Sequence, residues 1–91
     1  SIPKDIIIYG AGNIGVSFYK KVKGICNTIC FVDRKRAGEK IDDLPIIKVE
    51  ELDYSNNASI IVTATYDYDN ISEGIRRYCA EANIISLDAF L

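Results

Sequence analysis

Gly10, Ala11, Gly12, Asn13, Ile14 and Gly15 spell a G-x-G-x-x-G spacing. A loop of this kind does its chemistry with the backbone. The first glycine permits a sharp turn out of a strand. The second has no side chain, so a pyrophosphate can approach the main chain closely. The third lets the following helix lie against the preceding strand. The helix start then offers unpaired N–H groups and a partial positive charge to an anion. All six residues are therefore candidates for holding a phosphate. The plainer reading is a tight strand-to-helix turn with no ligand.

Asp33 is the second candidate, eighteen residues beyond Gly15. A carboxylate at the end of a second strand can accept hydrogen bonds from ribose hydroxyls and repel a 2′-phosphate. Arg34, directly after it, could instead pair with a 2′-phosphate. A solvated turn carboxylate is the competing account of Asp33. Thr63, Thr65 and Tyr66 leave a later strand on the side where open α/β sheets bind ligands. The threonines could hydrogen-bond a base or sugar, and Tyr66 could cover one.

The chain has no histidine, and Cys26, Cys30 and Cys79 make an odd count. No second close cysteine pair completes a tetrahedral site, so no metal is expected. The cysteines read as reduced, packed thiols of a cytoplasmic protein. Without histidine or a second domain to form a cleft, a binding role is favoured over catalysis. A free-standing oxidoreductase and a ligand-free structural or dimerisation domain stay open as alternatives.

These residues need a scaffold, and 91 residues with 48% apolar content supply one domain, 1–91. The net charge of −2 argues against a nucleic-acid surface. The cluster Arg34-Lys35-Arg36, with Lys40, reads as a solvated loop. No apolar run suits a membrane span, and none resembles a signal peptide. The ending on Phe90 and Leu91 suggests a longer natural polypeptide, with other domains as partners. Homo-oligomerisation is left open.

The β-branched run Asp5–Tyr9 predicts a strand buried on both faces. Asn13–Lys23 predicts a helix with Ile14, Phe18 and Val22 along one stripe. Thr28–Val32 predicts a second strand, and 34–45 a polar loop. Pro45–Lys48 and Ser59–Ala64 follow as strands. Asn70–Ala82 is expected as a helix, with Asn70 and Glu73 at capping-box spacing and Tyr78 on its apolar face. Ile84–Leu87 is the last strand. The alternation predicts a three-layer α/β fold with a mostly parallel five-stranded sheet. Counting strands along the chain, the expected spatial order is 3-2-1-4-5.

Ile6 to Gly15, Phe31-Val32-Asp33, Ile41 to Ile47 and Glu50-Glu51-Leu52 together resemble the compact Rossmann-like domain of bacterial carbohydrate and polysaccharide-biosynthesis enzymes. That domain stands at the N-terminus of sugar acyltransferases, within nucleotide-sugar dehydratases, and beside some glycosyltransferases and methyltransferases. The resemblance implies a nucleotide-binding module that holds a UDP-sugar or NAD(P), with CoA in some branches. Gly10, Gly12, Gly15 and Asp33 are the positions it would use. Asn13-Ile14 departs from the Gly-His usual in the acyltransferase branch, and no hexapeptide repeats follow, so acyl transfer is not implied.

Overall fold

The computed structural model describes residues 2–90. Strand β1 (Asp5–Tyr9) leads through the glycine loop into helix α1 (Asn13–Val22). Strand β2 (Asn27–Val32) follows, then β3 (Lys40–Ile41) and β4 (Leu44–Ile47). Two 3-10 turns, Val49–Glu51 and Tyr54–Asn56, lead to β5 (Ser59–Val62). A further 3-10 turn, Thr65–Asp67, runs into helix α2 (Tyr68–Arg76), and β6 (Ile84–Ser86) ends in a 3-10 segment, Leu87–Phe90. No helix among the described residues is long and apolar enough to cross a membrane.

The six strands form one mostly parallel sheet in the order β3-β4-β2-β1-β5-β6. Every pairing is parallel except β3 with β4. The β-branched runs explain the centre. Ile6, Ile7, Ile8, Ile60, Ile61 and Val62 lie on inner strands covered on both sides, so each face needs an apolar side chain. On one face Ile6, Ile8, Phe31, Ile46 and Ile61 pack beneath α1, with Tyr19 set edge-on to Phe31 at 5.4 Å between ring centres. On the other, Ile7, Val32, Ile60 and Val62 pack against Ile75 of α2 and Leu52.

Several sequence expectations need correction. The sheet has six strands rather than five, because residues expected as loop form β3. Ile41 pairs with Leu44 around Asp42 and Asp43, whose φ values are 49° and 67°. Two left-handed residues in succession make the twist-matched hairpin turn, and aspartate tolerates that region better than most residues. Ile14 does not face the core; it is 62% exposed. The buried positions of α1 are Gly15 and Tyr19, with Phe18 and Val22 partly covered. Helix α2 begins two residues before Asn70 and stops at Arg76. Asn70 therefore cannot cap it, and its amide donates to Asp67 instead, at 2.8 Å. The Arg76 guanidinium donates to the carbonyls of Ala80 and Ala82, at 3.0 Å each, fixing a turn where helix was expected. Tyr78 lies in that turn, 53% exposed, and stacks on Tyr54. Strand β5 ends at Val62, before Thr63 and Ala64. Phe90 folds back to contact Phe18, ring centres 5.7 Å apart, while Leu91 lies outside the described residues.

Candidate functional site

Parallel pairing brings the C-terminal ends of β1, β2 and β5 to one edge of the sheet. The glycine loop, the turn after Val32 and the segment Thr63–Asp67 all emerge there. The loop is tied to the strand ends: Gly10 N–H donates to the Val32 carbonyl at 2.8 Å, and Thr63 N–H to the Tyr9 carbonyl at 3.0 Å.

Each glycine has a distinct physical role. Gly10 has φ +115°, a conformation L side chains rarely adopt, and a Cβ there would collide with the Thr63 hydroxyl. A Cβ on Gly15 would strike the carbonyl of Gly10, so this residue sets how closely α1 approaches the loop. Gly12 differs from both. It caps α1 with ordinary extended backbone, φ −80°, and a Cβ on it would meet nothing within 4 Å. The space beyond Gly12 is open to solvent and to ligand.

The first turn of α1 leaves its N–H donors without side-chain partners. No side chain caps it and no acid lies in it. The first intrahelical donor is Val16 N–H, bonded to the Gly12 carbonyl at 3.0 Å. The N–H groups of Asn13, Ile14 and Gly15 precede it and have no helical acceptor. Asn13 and Ile14 are exposed, whereas Ala11 is fully buried beneath the loop.

Asp33 reaches the loop directly. One carboxylate oxygen accepts from the Ala11 N–H at 2.9 Å. The other accepts from the N–H groups of Lys35 at 2.9 Å and Arg36 at 3.2 Å. The same carboxylate thus fixes the turn after β2 and holds the loop, using three of about four acceptor positions on a carboxylate. Arg36, which the sequence reading left among solvated basic residues, completes the grip. Its guanidinium donates to the Ala11 carbonyl at 2.6 Å and to Glu39 at 3.0 and 3.1 Å. Ala11 is therefore clamped on both its N–H and its C=O. The only sequence signal for Arg36 was its nearness to Asp33.

The remaining candidates divide. Thr63 is buried, and its hydroxyl donates to the Tyr9 carbonyl at 2.8 Å, so it pins the loop base. Arg34 points to Glu50, in an exposed ion pair at 2.7 Å. Thr65 is half-buried, and Tyr66 stands 92% exposed at the rim. Tyr9 ends β1 between these loops. Burial pushes its hydroxyl above the usual tyrosine range; Arg34 opposes this, while Asp33, Asp67 and Glu50 reinforce it. The edge thus carries charges of both signs.

Tyr19 and Lys23 have the Tyr-x-x-x-Lys spacing that can serve proton transfer. Their geometry does not serve proton transfer at the glycine loop. Lys23 follows the last turn of α1, about 16 Å from Gly12 at 1.5 Å per residue. Both side chains instead donate to Asp42, at 3.0 and 3.1 Å, and tie the hairpin to the helix. Burial also raises the Tyr19 hydroxyl rather than activating it.

Two of the three thiols are equally quiet: Cys26 and Cys30 are buried, and burial pushes Cys30 up to about 11, whereas Cys79 is half-buried. No family model matches the chain, and no curated protein or solved structure matches it either.

Proposed function

We propose that the chain is a Rossmann-type nucleotide-binding module in which residues Gly10–Gly15 receive a diphosphate. The observation that carries this is the start of α1: an open Gly12, three N–H groups without helical acceptors, and no side-chain cap. Asp33 has acceptor capacity left for one ribose hydroxyl, while Thr65 and Tyr66 flank the route toward β5. The ligand class is NAD(P) or a UDP-sugar, since both offer a diphosphate and a ribose to the same loop. Serving a larger enzyme of bacterial carbohydrate or polysaccharide biosynthesis is the setting that the motif order suggests.

The test is calorimetric titration with NAD, NADH, NADP and UDP-N-acetylglucosamine side by side. Binding of one of them, lost in Gly12→Ala while the fold is retained, supports the proposal. No binding of any by the folded chain refutes it. The competing reading is a plain structural turn, favoured by the way Asp33 is already engaged with backbone N–H groups.

A further inference from the structure

A second site lies along the flank of α1, away from the turn after β2. Four large apolar side chains are left unusually bare: Ile2 at 57%, Ile14 at 62%, Ile25 at 64% and Phe90 at 36% exposed. All four line one groove, together with Phe18 and Leu87, enclosing about 660 Å³. That volume falls within the range of ligand pockets, about 300–1,000 Å³. The exposed side chains are thus gathered in one groove rather than scattered singly over the surface.

The groove has a sided chemistry. Ile14, Phe18 and Val22 recur every fourth residue and form an apolar ridge on α1. Asn13, Ser17 and Lys21 recur at the same interval one position earlier and form a polar edge beside it. Among the described residues, Lys21 is the only charged one lining the groove, and no carboxylate lines it. An occupant must therefore bring a continuous apolar body and a single anionic end. The ridge from Ile14 to Val22 extends for about 12 Å at 1.5 Å per residue, longer than one apolar side chain can cover.

We infer that this groove binds a single-chain anionic amphiphile. The hydrocarbon lies between α1 and the Leu87–Phe90 segment, and a carboxylate or phosphate head pairs with Lys21, with Ser17 one turn away as a further hydrogen-bonding group. A bilayer surface fits less well, since the groove offers one cation where membrane binding draws on several. A second copy of the chain brings no anion to Lys21 from the described residues of its own groove. This inference does not depend on a nucleotide at the glycine loop.

The test uses dodecanoate and dodecyl phosphate below their micelle concentrations, with dodecanol as the neutral comparator, on the full chain. Methyl resonances of Ile14, Ile25 and Leu87 should shift on titration with either anion, while those of Ile7 and Ile60 stay put. Lys21→Gln should weaken dodecanoate binding about two- to fivefold, as for an exposed ion pair, and leave dodecanol unchanged. Ile14→Asp, a change at an exposed position, should abolish binding with little change in melting temperature. The inference is overturned if the methyls do not respond, or if dodecanol binds as well as dodecanoate. It is also overturned if anionic vesicles bind while monomeric amphiphile does not, or if Ile14→Asp merely dissociates a dimer seen by light scattering.

Discussion

Replacing Asp33 by asparagine isolates the clamp on the glycine loop. The two side chains have the same shape, but asparagine has one acceptor oxygen where aspartate has two. The carbonyl can keep the bonds to Lys35 and Arg36 N–H, a role asparagine fills well in turns. The amide NH2 then faces the Ala11 N–H, donor against donor, at a residue with no solvent access. Losing a hydrogen bond to a charged acceptor costs about 1.5–3 kcal/mol. For a domain of this size each kcal/mol moves the melting temperature by about 4–8 °C, so a fall of about 8–16 °C follows from a central loss of about 2 kcal/mol. Thermal unfolding measures it, and hydrogen exchange at Ala11 locates it. Arg36→Met removes the other jaw, and the two changes should couple by at least about 0.5 kcal/mol in a double-mutant cycle. A melting temperature unchanged in Asp33→Asn, with Ala11 still protected, would refute the clamp.

Gly12→Ala should change stability by less than about 1 kcal/mol, because its backbone suits alanine and its Cβ points into open space; urea unfolding checks this. Gly15→Leu should destabilise by about 3 kcal/mol or more, since no rotamer relieves a Cβ driven into the Gly10 carbonyl; the same unfolding curves give the comparison. Hydrogen bonds from Lys23 and Tyr19 hold the Asp42 carboxyl below its ordinary value of 3.8. Its contribution is complete above that value and is lost as pH falls through the lower folded value, so acid should destabilise wild type more steeply than Asp42→Asn in melting curves across that window. Native alkylation at mildly alkaline pH should modify Cys79 first and spare Cys26 and Cys30 until unfolding, as mass spectrometry of the peptides will show.

The inner strands were legible because continuous β-branched runs have few other uses, and the glycine spacing located the start of α1 at Asn13. The hairpin at Asp42-Asp43 was not legible. Its turn needs two left-handed residues, and a pair of aspartates signals this far more weakly than Asn-Gly. Ile14 misled because i, i+4 periodicity cannot say which of two adjacent stripes faces the sheet. The close approach at Gly15 decides it, rotating Tyr19 inward and Ile14 outward. Arg36 was invisible for a different reason: its acceptor is a backbone carbonyl 25 residues away in sequence. Asp33 was found as a site residue, but its bonds to the loop's own backbone depend on geometry that no spacing rule carries.

The two-residue strand β3 also governs how the sheet meets other chains. An open sheet edge is a template for strand addition and hence for aggregation. Here the outer edge is only Lys40 and Ile41, paired with Pro45 and Leu44, and the turn beside it carries two exposed carboxylates. Lysine at the margin and proline in the strand it covers are both features that discourage an intruding strand. Beyond the opposite strand, only Ile84–Ser86, the chain turns away at Leu87. A foreign strand arriving at either margin would find two or three residues to pair with before the ladder ran out.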